Sequence, residues 1–116
     1  MQSGLKVIAP ASVSNLACGF DTLGVAIDIP SDEMIGKWVN TPGVHIIEIT
    51  GKKKDIPLAA DHNIAGITAT ALLKHLGEDG RGLELRIHKH IPGGSGLGSS
   101  ASSATAAAVL VNELLN

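Results

Sequence analysis

The alternation of apolar and polar residues is most regular over Leu83–Ile91, which reads LELRIHKHI. A strand directs successive side chains to opposite faces, so this segment predicts a strand with one buried and one solvent-exposed face. The apolar positions are Leu83, Leu85, Ile87 and Ile91, and the polar positions are Glu84, Arg86, His88 and His90. Because His88 and His90 fall on the polar face, we interpret both as surface histidines.

Shorter apolar runs predict three further strands. Lys6–Ala9 ends at Pro10, Leu23–Ile29 contains one glycine, and Val44–Thr50 is rich in β-branched residues. Small, polar or charged residues separate these runs and favour loops or turns. The predicted loops and turns are Ala11–Asp21, Pro30–Glu33 and Gly51–Asp55.

Two segments predict helices. Asp61–Leu76 can be capped by Asp61 or Asn63, and its apolar positions recur at helical spacing: Ile64, Ile67, Ala71, Leu72 and Leu76. The segment from Ser99 to the last residue is dense in Ala and Leu, which favour helix. No strand follows to cover the apolar side of this helix. We therefore expect residues 1–116 to be an incomplete domain.

Composition and charge restrict the class of protein. The chain has 116 residues, 44% of them hydrophobic and 17% charged, with a net charge of -2. This composition predicts one small globular domain and argues against nucleic acid as a partner. The lone Cys18 excludes an internal disulfide and is interpreted as a small buried filler. We see no signal peptide and no apolar run that could span a bilayer, so we expect a cytoplasmic protein without a membrane partner.

The candidate chemistry lies in the glycine-rich segment Pro92–Ser103, PGGSGLGSSASS, between a predicted strand and a predicted helix. The start of a helix has unpaired N–H groups and a partial positive charge, and glycines let several amides converge on one anion. Together these features predict a phosphate cradle. Ser99 and Ser100 add hydroxyls that could bond to phosphate or ligate Mg²⁺. The alternative interpretation is a flexible turn capped by Ser99.

Two common nucleotide-binding motifs do not fit this segment. The P-loop GxxxxGK[ST] requires a lysine after its last glycine, but Ser99 follows Gly98. The dinucleotide motif GxGxxG, counted from Gly94, requires a glycine where Ser99 stands.

Three segments resemble a known family. Pro92–Ala101 is similar to PxxxGLGSSA, the phosphate-loop motif of the GHMP kinases. Ala9–Asp28, APASVSNLACGFDTLGVAID, resembles the N-terminus of the homoserine kinases within that superfamily, and Asp61–Gly66, DHNIAG, resembles the D-x-N segment that opens a long helix there. These matches cover nearly the whole chain in the order of the family. The chain is identified as resembling the N-terminal portion of such a kinase.

The resemblance implies an α+β fold of the ribosomal protein S5 domain 2 type, with the ferredoxin-like C-terminal domain absent. It implies phosphorylation of the side-chain hydroxyl of L-homoserine by ATP, with Mg²⁺ as cofactor, as a step of threonine biosynthesis. The transfer would be in line and would rely on positioning and charge neutralisation. The family is commonly dimeric, so the resemblance also implies a homodimer.

The resemblance assigns roles to particular residues. The implied ATP-binding residues are Asn63, Pro92, Gly93, Gly94, Ser95, Gly96, Leu97, Gly98, Ser99, Ser100, Ala101 and Ser102. Ser100 is also the implied Mg²⁺ ligand. Asn15 and Asp21 are the implied homoserine-binding residues, and the Asp21 carboxylate could pair with the α-ammonium group. The alternative roles are a helix cap for Asn63 and Asx-turns for Asn15 and Asp21.

The family also has parts that we do not find in this sequence. A glutamate that is the second Mg²⁺ ligand and a third, glycine-rich motif are implied to lie beyond Asn116, and Glu113 is too far along the last helix to replace that glutamate. No catalytic residue is assigned within the segment, and residues 1–116 alone are expected to be inactive or nearly so. The alternatives are another GHMP kinase with a different alcohol substrate, or a non-catalytic nucleotide- or phosphate-binding module.

Overall fold

The computed structural model describes residues 4–14, 24–51, 56–93 and 95–116. These residues form four strands and two α-helices, with a short 3-10 turn at Ala60–His62. In chain order the elements are β1 (Leu5–Ser14), β2 (Gly24–Val39), β3 (Gly43–Gly51), α1 (Ile64–His75), β4 (Gly82–Lys89) and α2 (Ser99–Leu115). The expected mixture of strands and helices is confirmed.

The strands form one mixed sheet in the order β1-β2-β4-β3. The β1/β2 and β2/β4 pairs are antiparallel, and β3/β4 is parallel, with α1 in the connection between those two strands. The register between β2 and β4 places Glu33 opposite His88. Asp32, the preceding residue, therefore points to the other face, towards the helices.

The first two strands are longer than the sequence predicted. Ala11–Ser14 belongs to β1 instead of a loop, and Pro30–Glu33 lies inside β2 instead of forming a turn, so both predictions were wrong. The register shifts between Pro10 and Ala11, whose partners are Ser31 and Ile27. The irregularity therefore takes up residues 28–30 of β2, where Pro30 has no N–H to donate. The residues whose composition predicted a turn therefore lie at a bulge within a continuous strand.

The predicted strand at Leu83–Ile91 is confirmed, with its end at Lys89 instead of Ile91. Leu83, Leu85 and Ile87 are buried, as the alternation predicted. Lys89 shares their face and is only 2% exposed. A charged side chain therefore lies inside the molecule at the point where the strand leads into the glycine-rich turn.

Both helices pack against the same side of the sheet and against each other. Helix α1 begins at Ile64 instead of Asp61, and Asn63 is its N-cap. Its buried residues are Ala65, Gly66, Ala69 and Leu73, whereas Ile64, Ile67 and Leu76 are largely exposed. The face with the smallest side chains is buried because it lets α1 approach its neighbours closely. The larger apolar residues at helical spacing therefore do not mark the core of this helix.

The core lies between the helices and the sheet. Helix α2 contributes Ala106, Ala107, Leu110 and Val111 to the same core cluster as buried residues of the sheet, and it contacts β1 and β2. Neither of the two helices among the described residues has the length and apolarity needed to cross a membrane. Residues 90–98 connect β4 to α2, so the glycine-rich turn lies at one end of the sheet, above the first turn of α2.

Candidate functional site

The glycine-rich turn adopts a backbone conformation that favours glycine. Gly96 has φ +78° and Gly98 has φ +74°, both in the left-handed region. At Gly98 a Cβ would also lie 2.3 Å from Ser12 Oγ, so the Ser12 side chain would have to move to admit any larger residue. The Ser12 N–H donates to the carbonyl of Leu97 at 2.9 Å, which ties the turn to β1.

The first turn of α2 presents its amides without acceptors from the described part of the chain. Gly98 is the N-cap and makes no side-chain capping bond, and the first helical bond runs from the Ser102 N–H to the Gly98 carbonyl at 2.8 Å. Among residues 4–14, 24–51, 56–93 and 95–116, no acceptor lies within bonding distance of the N–H groups at positions 98–101. Four backbone N–H groups therefore lie at the positive end of the helix dipole, where both favour an anion.

The serines of the segment have different environments. Ser95 Oγ donates to the Pro92 carbonyl at 2.6 Å and accepts from the Leu97 N–H at 3.3 Å, so it closes the turn internally. Ser99 Oγ donates to the Ile91 carbonyl at 3.3 Å instead of capping α2, so the alternative of a turn capped by Ser99 is wrong. The side chain of Ser100 is exposed.

An open groove runs along these residues. A cavity of about 450 Å³ lies over the turn and the start of α2, lined by Ile56, Gly93, Ser95, Gly96, Gly98, Ser99, Ser100 and Ala101. A second cavity of about 280 Å³ shares Ile56, Ser99 and Ser100 with the first and extends to His62 and Asn63 at the start of α1. The N-termini of both helices therefore open into one groove.

Asn63 caps α1 and also lines this groove. Its side chain is buried, its Oδ1 accepts from the Ala65 N–H at 2.9 Å, and its Nδ2 donates to the Pro57 carbonyl at 2.9 Å. The helix-cap interpretation is therefore confirmed. Asn63 also fixes the segment near Pro57, which forms one wall of the groove.

A buried ion pair lies directly beneath the turn. Asp32 on β2 and Lys89 at the end of β4 are each about 2% exposed, and Lys89 Nζ donates to Asp32 Oδ2. The other oxygen, Oδ1, accepts from the N–H groups of His90 at 2.8 Å and Ile91 at 2.9 Å. This carboxylate therefore holds the residues through which the chain leaves β4.

The same pair reaches into the first turn of α2. Lys89 Nζ donates to the Ser99 carbonyl at 3.0 Å and to Ser103 Oγ at 2.9 Å, and Ser102 Oγ donates to Asp32 Oδ2. The hydroxyl of Ser102 is thus directed to the interior and does not reach the surface of the turn. With Asp32 included, Lys89 has acceptors within the protein for all three ammonium hydrogens. Lys89 therefore links the end of β4, where the turn starts, to the first turn of α2, where it ends.

The ionisation of Asp32 follows from these contacts. Burial raises the pKa of the Asp32 carboxyl, but the hydrogen bonds from Lys89, from the Ser102 hydroxyl and from two backbone N–H groups outweigh burial and hold the pKa below its ordinary value. The carboxyl is therefore charged at neutral pH. The sequence analysis assigned no role to Asp32 or Lys89. One signal was present: Lys89 occupies a position whose period-two partners, Leu85 and Ile87, are apolar.

The structure brings Asn63 together with Gly93, Ser95, Gly96, Gly98, Ser99, Ser100 and Ala101 along one groove. Pro92 and Leu97 belong to the same turn, where their carbonyls accept hydrogen bonds that hold its shape. The implied homoserine-binding residues Asn15 and Asp21 lie outside the described residues, as do Gly94 and Cys18. Their assigned roles stay predictions.

Comparisons with known proteins give a family match to the C-terminal 54 residues of the 116-residue sequence. Residues 63–116 match the model described as the N-terminal domain of GHMP kinases. A homoserine kinase of Xylella fastidiosa is 40% identical over 111 residues, which cover 96% of this chain and 34% of that relative. A homoserine kinase of Chlorobium phaeovibrioides is 42% identical over 121 residues, covering 96% of this chain and 38% of the relative. The chain thus spans little more than a third of the length of these curated relatives.

Solved structures show the same similarity. The crystal structure of homoserine kinase from Cytophaga hutchinsonii superposes with a TM-score of 0.93 at 42% identity, covering 100% of this chain and 36% of that one. A putative homoserine kinase from Listeria monocytogenes has a TM-score of 0.72 at 26% identity, and the match covers 97% of this chain and 37% of that one. The mevalonate kinase of Methanococcus jannaschii, at 20% identity and a TM-score of 0.72, shares the fold; 98% of this chain and 41% of that one are covered.

Proposed function

Since the chain belongs to the GHMP kinases and corresponds to the N-terminal part of homoserine kinases, we propose that it forms the nucleotide-binding part of an enzyme that phosphorylates L-homoserine with ATP. The product is O-phospho-L-homoserine. The observation that carries the proposal is the run of four N–H groups at positions 98–101, which belong to residues lining an open cavity and have no acceptor among the described residues. Amides in this arrangement suit the triphosphate of a nucleotide.

The groove suggests how ATP lies. Its phosphates bind at the N-terminus of α2, where the amides and the helix dipole compensate negative charge. The nucleoside then extends along the cavity towards His62 and Asn63, beside Ile56 and Pro57. The amide of Asn63 already bonds to Pro57 and Ala65, so Asn63 shapes the wall on the nucleoside side and offers the ligand only its second Nδ2 hydrogen and the remaining lone pair of Oδ1.

Ser100 is the residue that suits Mg²⁺. Its hydroxyl is exposed at the start of α2 and has no hydrogen-bond partner among the described residues. Mg²⁺ prefers oxygen ligands and commonly takes one or two from protein, with the rest from phosphate oxygens and water. When bound there, the ion supplies positive charge beside the phosphates.

The transfer itself is an in-line displacement at the γ-phosphorus. The hydroxyl oxygen of homoserine forms the new O–P bond, the bond to the bridging oxygen of ADP breaks, and the hydroxyl proton is released. The residues of this chain contribute orientation and charge neutralisation through the amides of the turn. Asn15 and Asp21 are proposed to hold homoserine, with the Asp21 carboxylate paired to the α-ammonium.

An ADP-release assay on the intact protein that contains this chain tests the proposal. We expect turnover with L-homoserine and little with mevalonate or galactose. Ser100→Ala should abolish most Mg²⁺-dependent turnover, and Thr105→Ala, at an exposed position of the same helix, should leave it unchanged. A clear preference for another alcohol would indicate a different GHMP kinase. ATP binding by calorimetry without turnover would indicate a non-catalytic nucleotide-binding module.

We place this enzyme in the cytoplasm, in threonine biosynthesis, as a homodimer. Light scattering on the intact protein measures the mass of the particle and checks the dimer. A monomeric mass at the concentration used for the activity assay would contradict it.

A further inference from the structure

Three potential metal ligands converge on the face of the sheet that is turned away from the helices. They are Glu33, His88 and His90, and one ligand atom from each lies within 4.8 Å of the other two. Glu33 is paired directly with His88 across β2 and β4, and His90 follows two residues later on the same side. We propose that Glu33, His88 and His90 form a binding site for a divalent transition-metal ion of the zinc class.

The donor set selects the kind of ion. Two imidazole nitrogens and one carboxylate oxygen suit Zn²⁺, Ni²⁺ or Cu²⁺, whereas Mg²⁺ and Ca²⁺ prefer sites made of oxygen atoms. Zinc–ligand bonds of about 2.0–2.1 Å at tetrahedral angles place ligand atoms about 3.3 Å apart. Side-chain shifts of about 1.5 Å at most would therefore close the site, with water as the fourth ligand.

Neighbouring contacts already orient two of the ligands. His90 Nε2 lies 3.3 Å from Glu33 Oε2, and the rings of His88 and His90 meet edge to face with centroids 4.4 Å apart. Thr50 Oγ1 on β3 contacts His88 Nδ1. With the Thr50 hydroxyl as acceptor, Nδ1 keeps the proton and Nε2 keeps the lone pair that a metal requires. Thr50 is thus a positioning residue for this site.

One neighbouring charge weakens the attraction for a cation. Lys6 Nζ forms an ion pair with Glu33 Oε1, on the side of the carboxylate away from His90. Lys6 and His90 both contact this carboxylate. The ammonium of Lys6 also repels a divalent ion. We therefore expect weaker binding than in a closed structural zinc site.

This site is separate from the groove that holds the glycine-rich turn. Lys89, between His88 and His90, points to the opposite face of the sheet and reaches the first turn of α2. The metal and the nucleotide would therefore lie on opposite sides of the end of β4. The inference goes beyond the proposed kinase function and does not depend on it.

Zinc titration of the intact, tag-free protein tests the inference. After treatment with EDTA and its removal, isothermal calorimetry in a non-coordinating buffer at neutral pH, with excess Mg²⁺ present, should show one Zn²⁺ per chain. His88→Gln or His90→Gln should weaken that binding at least about tenfold. Thr50→Val should weaken it several-fold. His75→Gln, which removes an exposed imidazole at the end of α1, is the matched control and should bind like the wild type.

The visible spectrum with Co²⁺ in place of Zn²⁺ gives a second readout. Bands typical of tetrahedral cobalt should appear in the wild type and in His75→Gln and should be absent in His90→Gln. Absence of saturable Zn²⁺ binding, or equal binding by wild type, His88→Gln and His90→Gln, would overturn the proposal. Circular dichroism of the metal-free variants checks their fold, and His90→Gln alone decides the matter if His88→Gln does not fold. Homoserine phosphorylation is assayed separately, so failure there leaves the metal result intact.

Discussion

Asp32→Asn should destabilise the intact protein by about 3 kcal/mol, because it leaves the ammonium of Lys89 buried without its counterion. The asparagine retains an oxygen that can accept from the N–H groups of His90 and Ile91, so those two hydrogen bonds survive. The expected cost is therefore near the lower end of the range of about 3–5 kcal/mol for a broken buried ion pair.

Asp32→Ala removes the same charge and also the oxygen that accepts from both of those N–H groups. Each buried donor left without a partner costs a further 1–3 kcal/mol or so. Asp32→Ala should therefore cost at least about 2 kcal/mol more than Asp32→Asn. A small domain has only about 5–15 kcal/mol of stability, so Asp32→Ala is expected to be close to unfolded.

The reciprocal change is Lys89→Met, which keeps a long apolar side chain and removes the ammonium. It leaves Asp32 with hydrogen bonds from His90, Ile91 and Ser102, and we again expect a loss of about 3 kcal/mol. The double variant Asp32→Asn/Lys89→Met contains neither charge. It should therefore be more stable than the sum of the two losses predicts, by about 1–3 kcal/mol.

Urea denaturation of the four variants and the wild type measures these free energies, and calorimetric titration measures their binding of ATP. Because the pair joins the end of β4 to the first turn of α2, the single variants that remain folded should also bind ATP more weakly. Losses below about 1 kcal/mol for Asp32→Asn and Lys89→Met, or strictly additive losses in the double variant, would show that the buried pair does not hold the turn.

Four further predictions concern the glycine-rich turn, the N-cap of α1, stability in acid and the activity of residues 1–116 alone. Gly98→Ala should weaken ATP binding more than Gly96→Ala in calorimetry, because both have positive φ but only a Cβ at position 98 would displace the Ser12 side chain; equal effects would contradict this explanation. Asn63→Ala should destabilise the protein by about 1–2 kcal/mol in urea denaturation through loss of the cap and of the bond to Pro57, and a change of a few tenths would be inconsistent with that role. The lowered pKa of Asp32 adds stability that is present above the ordinary carboxyl pKa of 3.8 and is lost as the pH falls through the lower pKa of the folded protein; Asp32→Asn should lack this part of the acid transition, and identical acid profiles would refute it. Residues 1–116 on their own should show no ADP release above background with ATP and homoserine. Turnover equal to that of the intact protein would show that no Mg²⁺ ligand outside residues 1–116 is required.

The local features of the site could be predicted from the sequence. Glycine at positions 96 and 98 indicates backbone with positive φ, and a helix start rich in Ser and Ala indicates exposed amides, because both properties depend on neighbouring residues alone. The alternation over Leu83–Ile87 predicted β4 for the same reason. The turn and its flanking elements were therefore placed correctly.

Errors arose where long-range pairing overrides local composition. Ala11–Ser14 and Pro30–Glu33 have the residues of loops, yet they extend β1 and β2 because the two strands pair through a bulge. In α1 the large residues Ile64 and Ile67 are largely exposed, whereas the small residues Ala65, Gly66 and Ala69 are buried together with Leu73.

The sequence by itself determined a glycine-rich turn between a strand and a helix, because glycine conformation and side-chain periodicity are local properties. The tertiary structure decided what holds that turn in place. Asp32 and Lys89 are 57 positions apart, and they meet because the pairing of β2 with β4 brings both to the face covered by α2. The same register places Glu33 beside His88 on the opposite face. Contacts of this kind depend on strand register, which the pattern of any single segment does not contain.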